Sequence, residues 1–505
     1  MTPAHGTPIS PVGATSVNQR DEWIQAPDER IKTTGRRRGF FPALIANDWV
    51  VGLLFLVFDI VSWIAIYGVT TYLRSDNFLV GPFEFLLVDV VQLVVICQAL
   101  FMIGGYDRNN DTRTLTYTAE HILAMAGAAT ISTLLIYAAA TFDSSMKPSR
   151  SAVLVSFIIF LPWSILYRRL LHRFIAESTA GRAFLVIGSG EIAARFYEAY
   201  RQSPNRQRIE FVDLQELRVG AHIAGPGSPL IEGNLAAKLG SLNNRYSGVV
   251  LAERVDRIPP DLLERLVRTQ FQRTRVYTLE SFYEAHWRHV PVHSIDPFWP
   301  LQMGFQLSRN SPYHYLKRLF DVIASAALLV LMSPLILLSA LAVWLGSGRP
   351  VLFRQPRVGR EGQVFTVFKF RTMRVETSEA DSDIYTREND PRITREGRWL
   401  RKLRLDELPQ LFNVLRGDMS LIGPRAEWIK CAERYERKIP FYHFRHLVKP
   451  GITGWAQVNY PYGESDEDAV EKLKYDLYYI RHYSLKLDAM IVLKTIHTVL
   501  FGKGR

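Results

Sequence analysis

Two adjacent carboxylates, Asp406 and Glu407, stand in the run Arg404-Leu405-Asp406-Glu407-Leu408-Pro409-Gln410-Leu411. Leu408, Leu411, Phe412 and Leu415 recur at the spacing of one helix face. Proline is tolerated only in a helix's first turn, so Pro409 predicts a helix beginning at Asp406 or Glu407. Both carboxylates would then lie where peptide dipoles favour negative charge and phosphate. The plain structural reading is an N-cap aspartate with an ordinary first-turn glutamate. The surrounding cations favour chemistry. Lys369 and Arg371 alternate along a strand pattern and share one face. Arg398, Arg401 and Lys402 follow at helical spacing, and the rigid turn Gly423-Pro424-Arg425 presents a further guanidinium. From Arg349 to Arg404 there are 14 Lys/Arg against 8 Asp/Glu. A solvated basic face is the alternative, but cations around a carboxylate pair suit phosphate, which Arg grips with a bidentate fork. A diphosphate substrate with a divalent metal on the carboxylates accounts for both signs of charge.

The C-terminal part resembles the bacterial sugar transferases, the monotopic polyprenyl-phosphate hexose-1-phosphate transferases. The resemblance rests on Lys317-Arg318-Leu319-Phe320-Asp321, Ser333-Pro334, Pro350-Val351-Leu352-Phe353-Arg354-Gln355 and Phe368-Lys369-Phe370-Arg371-Thr372-Met373. It continues through Leu405-Asp406-Glu407-Leu408-Pro409-Gln410-Leu411, Gly417-Asp418-Met419-Ser420, Lys449-Pro450-Gly451-Ile452-Thr453-Gly454-Trp455-Ala456-Gln457-Val458-Asn459 and Tyr475-Asp476-Leu477-Tyr478-Tyr479-Ile480. Ala426 departs from the family's usual Gly-Pro-Arg-Pro, and a less rigid loop is expected there. The resemblance implies transfer of a hexose 1-phosphate, glucose or galactose, from a UDP-sugar to undecaprenyl phosphate, releasing UMP. It implies Asp406 as nucleophile, forming an aspartyl-phosphosugar intermediate, with Asp406 and Glu407 holding Mg²⁺. Lys369, Arg371, Arg401, Arg404 and Arg425 would clamp phosphates, and Pro424 with Arg425 would meet the nucleotide. Homodimerisation and a handover to downstream glycosyltransferases are compatible with this role.

These residues must be positioned by several domains, since 505 residues exceed one core. The expected fold is a membrane protein of mixed α and α/β type. Residues 1–40 read as a disordered basic tail, and 41–175 as four transmembrane helices near 48–73, 83–104, 119–141 and 151–172. The tail carries six Lys/Arg (Arg20, Arg30, Lys32, Arg36, Arg37, Arg38), whereas one side of the bundle has only Arg74, Lys147 and Arg150. Positive-inside then places both bundle ends in the cytoplasm and the protein in the bacterial inner membrane. Asp59 inside the first span is either a functional acid or a structural hydrogen-bonding group. The formal charge of +12 suits anionic lipid and phosphorylated substrates, and no nucleic-acid motif stands out. Cys97 and Cys431 imply no disulfide framework.

Residues 176–308 read as a Rossmann-like domain. A strand Ala183–Ile187 precedes Gly188-Ser189-Gly190-Glu191-Ile192-Ala193, and Asp213 stands near the place of a ribose-binding acid. Either a bound nucleotide or a structural role fits. Residues 309–505 form the mainly helical catalytic domain. Its apolar run Val322–Val343 is broken by Ser333-Pro334 and has basic flanks on both sides, which predicts a re-entrant membrane helix over 315–346. Leu485–Phe501 is amphipathic and expected along the interface. Two other readings are a membrane-anchored nucleotide-sugar dehydratase or epimerase, using Tyr313-x-x-x-Lys317, and a non-catalytic polysaccharide-assembly scaffold.

Overall fold

The computed structural model describes residues 48–75, 86–107, 112–139, 150–179, 182–203, 207–240, 242–272, 274–296, 298–301, 312–374, 390–460 and 465–500, with a few isolated positions between them. The expected tail, 1–40, lies outside these.

Unbroken apolar sequence makes the first helices, α1 (Asp48–Ser75), α2 (Leu86–Met102), α3 (Leu115–Ala139) and α4 (Arg150–Thr179). Three contain stretches long and apolar enough to cross a membrane: Trp49–Arg74, Leu115–Ala138 and Ser151–Ile175. The apolar stretch of α2, Val90–Met102, is shorter. Asp59 meets Arg168 of α4 in a fully buried fork, Nη1 to Oδ1 at 3.0 Å and Nη2 to Oδ2 at 2.5 Å, joined by the Tyr167 hydroxyl. Pairing makes an intramembrane acid tolerable, so its role here is to lock α1 to α4.

The next unit is a parallel sheet, β1 (Ala183–Ile187), β2 (Arg208–Val212), β3 (Ile231–Glu232), β4 (Tyr246–Leu251) and β5 (Arg275–Thr278), in the order β3-β2-β1-β4-β5. All five residues of β1 are buried, as a strand covered on both faces requires. Helices α5 (Glu191–Gln202), α6 (Leu235–Gly240), α7 (Leu242–Arg245), α8 (Pro260–Gln272) and α9 (Leu279–Trp287) complete it. The chain after α9 does not stay with this sheet. Val290, Val292, Trp299 and Phe305 enter the next domain's core beside Tyr435, Leu473 and Ile480, and the Val290 N–H donates to Lys474 O at 3.1 Å. The core thus begins earlier than the motif boundary at 309, because these apolar side chains find their burial there.

Helix α10 (Tyr313–Ser347) is one 35-residue element with Pro334 inside it, and it too is long and apolar enough to cross a membrane. The expected break at Ser333-Pro334 is not an interruption. Proline leaves the Val330 carbonyl without its helical donor, and the Ser333 hydroxyl donates to that carbonyl at 2.8 Å. Both ends of α10 grip the same domain. Near its start, Asp321 Oδ1 accepts from Leu421 N at 3.0 Å. Near its end, Val343 packs on Phe370 and Leu400.

That domain comprises the hairpin β6 (Leu352–Val358) and β7 (Val364–Phe370), then α11 (Arg395–Lys402), a 3-10 turn Leu405–Glu407, α12 (Gln410–Arg416), β8 (Ser420–Ile422), α13 (Ile429–Lys438), β9 (Gly451–Thr453), α14 (Trp455–Asn459), α15 (Asp466–Arg481) and α16 (Leu485–Leu500). α16 does not lie free along an interface. Leu487, Met490 and Ile491 are buried in the domain core, while Leu493 packs on the transmembrane bundle. Lys494 Nζ stands 3.5 Å from Glu120 Oε1. With apolar residues on two faces, the helix is sandwiched rather than half-solvated.

Candidate active site

The helix begins later than predicted, so the acid pair sits just ahead of it instead of in its first turn. Asp406 and Glu407 occupy the 3-10 turn, and α12 begins at Gln410. Arg404 enters that turn in the left-handed conformation, φ 57°, unusual for a long side chain. Asn413 fixes the turn against the hairpin. It is fully buried, its Oδ1 accepts from Phe368 N at 3.1 Å, and its Nδ2 donates to Thr366 O at 2.7 Å. This register places Lys369 against Glu407, Nζ to Oε1 at 2.9 Å. Arg425 Nη1 lies 3.7 Å from the same oxygen. Asn413 was not legible as a site residue: a polar residue inside an apolar helical repeat is the only signal it gives.

The two carboxylates are pushed apart electrostatically. Burial alone would raise Glu407, but Lys369, Arg425 and Arg404 overcome it and hold its carboxyl at about 2. Asp406 is raised, first by burial and then by the Glu407 charge, with Lys369, Arg401 and Arg404 opposing. Its Oδ1 is buried and has no hydrogen-bond partner among the described residues. The two neighbouring carboxylates thus sit in different environments, Glu407 held ionised against its cations and Asp406 raised and less closely paired. Burial, and then the neighbouring Arg425, pull the Lys369 ammonium below the ordinary lysine range, with Glu407 and Asp406 opposing.

Arg371 does not join this group. Its guanidinium, 9 % exposed, turns to the end of α10 and donates to the carbonyls of Ser347, Gly348 (2.8 Å) and Arg349 (3.1 Å). The last carbonyls of a helix lack intrahelical donors, and a multi-donor cation serves them well. Arg371 is thus an anchor of the membrane helix, in place of the phosphate clamp expected of it.

The Arg425 loop is held without the family proline. Gly423, Gly451 and Gly454 approach so closely that a Cβ on Gly423 would stand 2.3 Å from Lys449 O. Pro424 is buried, and its carbonyl accepts from Gly451 N at 2.8 Å. Arg445 donates to Arg425 O at 3.1 Å and to Asp476 Oδ2 at 2.8 Å, and Arg357 donates to Ala426 O at 3.0 Å. Two guanidinium groups supply the rigidity that Ala426 lacks.

The residues of the other readings are engaged within the protein. Tyr313 and Lys317 both bond Asp488 Oδ2 at 2.5 Å at the foot of α10. Asp213 accepts from Ser189 Oγ at 2.9 Å and from the N–H of Arg218 at 2.8 Å, which commits it to its own loop.

Residues 312–502 match the model of the family described as bacterial sugar transferase. The chain is 42 % identical over 195 residues to the exopolysaccharide production protein PSS of Rhizobium leguminosarum, covering 98 % of that protein and 37 % of this one. The chain belongs to the bacterial sugar transferase family. It is also similar to UDP-N-acetylgalactosamine-undecaprenyl-phosphate N-acetylgalactosaminephosphotransferase of Aeromonas hydrophila, 42 % identical over 260 residues, 52 % of this chain and 60 % of the relative. A third family member, UDP-glucose:undecaprenyl-phosphate glucose-1-phosphate transferase of Escherichia coli, is 38 % identical over 272 residues, 53 % of this chain and 57 % of the relative. The chain thus spans about three fifths of these two longer relatives.

Proposed function

We propose that the chain moves a hexose 1-phosphate from a UDP-sugar to undecaprenyl phosphate, releasing UMP, and so starts assembly of an exopolysaccharide, capsule or O-antigen. The observation that carries this reading is Asp406, a half-buried carboxylate whose buried Oδ1 has no hydrogen-bond partner among the described residues, beside a Glu407 whose charge is already offset by Lys369 and Arg425. Support comes from the relatives' names, which share undecaprenyl phosphate as acceptor and differ in the sugar.

The Asp406 carboxylate attacks the phosphorus bonded to the sugar, and the bond from that phosphorus to UMP breaks. An aspartyl-phosphosugar remains. An oxygen of the lipid phosphate then attacks the same phosphorus, the aspartyl bond breaks, and Asp406 is regenerated. Splitting one displacement into two gives ping-pong kinetics. Lys369, Arg401, Arg404 and Arg425 lie around the pair and would stabilise charge developing on the phosphates. The donor set fits Mg²⁺: two carboxylates, one oxygen of which lacks a partner among the described residues, with substrate phosphates completing the shell. Asp406 and Glu407 would hold that ion, which neutralises diphosphate charge.

Topology follows from the grip of one domain on both ends of α10. A helix that crossed the membrane would put those ends on opposite faces. We therefore read α10 as re-entrant, with the active site on the cytoplasmic face where UDP-sugars are made.

The test is UMP release from UDP-sugars by purified protein with undecaprenyl phosphate. Asp406→Asn should lose at least ~10³-fold in kcat, the order seen on removing a catalytic nucleophile, while retaining its thermal transition. Glu407→Gln should fall severely with altered Mg²⁺ dependence. Donor alone should add one phosphosugar mass to wild-type protein and none to Asp406→Asn. Near-normal turnover by Asp406→Asn removes it from the nucleophile role.

A further inference from the structure

A cavity beneath the first turns of α10 takes no part in the site at Asp406. His314, Lys317, Arg318, Asp321, Lys449 and Tyr483 line it. Lys317 is neutralised by Asp488, Nζ to Oδ2 at 2.5 Å. Asp321 is committed to the backbone of Leu421. Arg318 donates to the carbonyls of Val414 and Leu415, at 2.6 and 2.8 Å, capping the last turn of α12. Carbonyls satisfy its donors but leave its charge intact. Arg360 Nη1 stands 3.5 Å from His314 Nε2, Glu361 is its ion-pair partner at 3.3 Å, and its Nε is buried without a partner. Lys449 is held below the ordinary lysine range by its own burial, then by Arg318 and Arg360, with Asp321 and Asp418 opposing. Among the described residues no hydrogen bond or ion pair reaches Lys449 Nζ. Two cations, Arg318 and Lys449, therefore line a half-buried space without a direct carboxylate partner, with Arg360 close enough to act on Lys449 and with Asp321 and Asp418 as the carboxylates that partly offset them. Such a gathering is costly unless an anion enters.

We infer that this cavity binds the phosphate of a membrane lipid. The membrane assignment comes from the next turn of α10, where Leu319, Phe320, Val322 and Ile323 are exposed. Lipid chains lying along that strip would bring a headgroup phosphate to Arg318 and Lys449, and basic pockets beside membrane helices suit such headgroups. The pocket is separate from the reacting carboxylates. Asp406 and Glu407 precede α12, Arg318 grips its other end, and seven residues of helix span about 10 Å. Both positions can be filled together. Two lipids carry the required group: an anionic phospholipid, and a polyprenyl phosphate, the latter resting on the proposed function.

The experiment reads binding, so an inactive enzyme would not be mistaken for a missing pocket. Full-length protein in detergent is titrated with phosphatidylglycerol in one arm and undecaprenyl phosphate in the other, and retained lipid is counted by native mass spectrometry. Lys449→Gln should weaken retention roughly tenfold in at least one arm, the order for one charge-assisted contact. Lys449→Arg should restore it, and Lys430→Gln, on the exposed surface of α13, should leave it unchanged. Loss confined to the phosphatidylglycerol arm assigns a phospholipid; loss confined to the other assigns the acceptor. Unchanged retention in both arms overturns the inference. Should Lys449→Gln fail to keep the wild-type thermal transition, wild-type protein decides: retention of diacylglycerol equal to that of phosphatidylglycerol overturns it, because tails without phosphate would then suffice.

Discussion

Arg371→Lys separates an anchoring role from a phosphate-clamping one. Lysine keeps the positive charge, but a point cation on a flexible stem cannot serve three carbonyls as the planar guanidinium does. The Ser347, Gly348 and Arg349 carbonyls would each lose a donor. A buried acceptor left unsatisfied costs about 1–3 kcal/mol. The ammonium recovers one contact, so two losses give roughly 2–6 kcal/mol. For a domain of this size each kcal/mol moves the transition by about 2–4 °C, so the midpoint should fall by about 4–24 °C. The residue does not face Asp406, so the KM for UDP-sugar should change less than about threefold at a temperature where the variant is folded. The assay pairs thermal unfolding in detergent with steady-state UMP release. A variant with an unshifted midpoint and a hundredfold loss in kcat/KM would refute the anchoring argument and return Arg371 to the phosphates.

Three further outcomes are expected. His289 packs against Tyr283 and Tyr475, and burial followed by Lys474 lowers it from 6.5 to about 4. Its contribution is present above about pH 6.5 and lost as pH falls toward 4, so His289→Phe should gain about 2–3 kcal/mol relative to wild type between pH 7.5 and 4.5, measured by denaturant unfolding; an unchanged gap would contradict it. A fragment beginning at Ser311 strips Val290, Val292, Trp299 and Phe305 from the core, so it should be less stable by several kcal/mol than one beginning at His289, while any folded fraction still releases UMP; equal midpoints for the two fragments would show the segment is dispensable. Cysteine placed at the exposed Arg437, with Cys97 and Cys431 replaced, should resist an impermeant reagent on intact cells and become labelled when Ser333 and Pro334 are replaced by Ala and Leu; labelling of the protein with Ser333 and Pro334 intact would exclude the re-entrant topology.

Local patterns in the sequence carried much of this protein. Apolar runs dictate α1, α3, α4 and α10, because helix is the form that satisfies a backbone in hydrocarbon. The glycine pattern after Ile187 announces the parallel sheet, and Asp406-Glu407 with Lys369 and Arg425 were readable as a charged constellation. What sequence spacing could not carry is where a long side chain points. Lys369 and Arg371 are two residues apart, yet one meets Glu407 and the other ties down the end of α10, because the strand ends at Phe370 and the chain beyond it turns toward the helix. Asn413, which sets the register between hairpin and acid turn, and Arg445, which holds the Arg425 loop across 20 residues of sequence, acquire their roles only from partners brought close by folding. The placement of α16 and of Val290, Val292, Trp299 and Phe305 was decided the same way. An amphipathic pattern specifies that an apolar face will be buried, and only the tertiary structure determines which surface buries it.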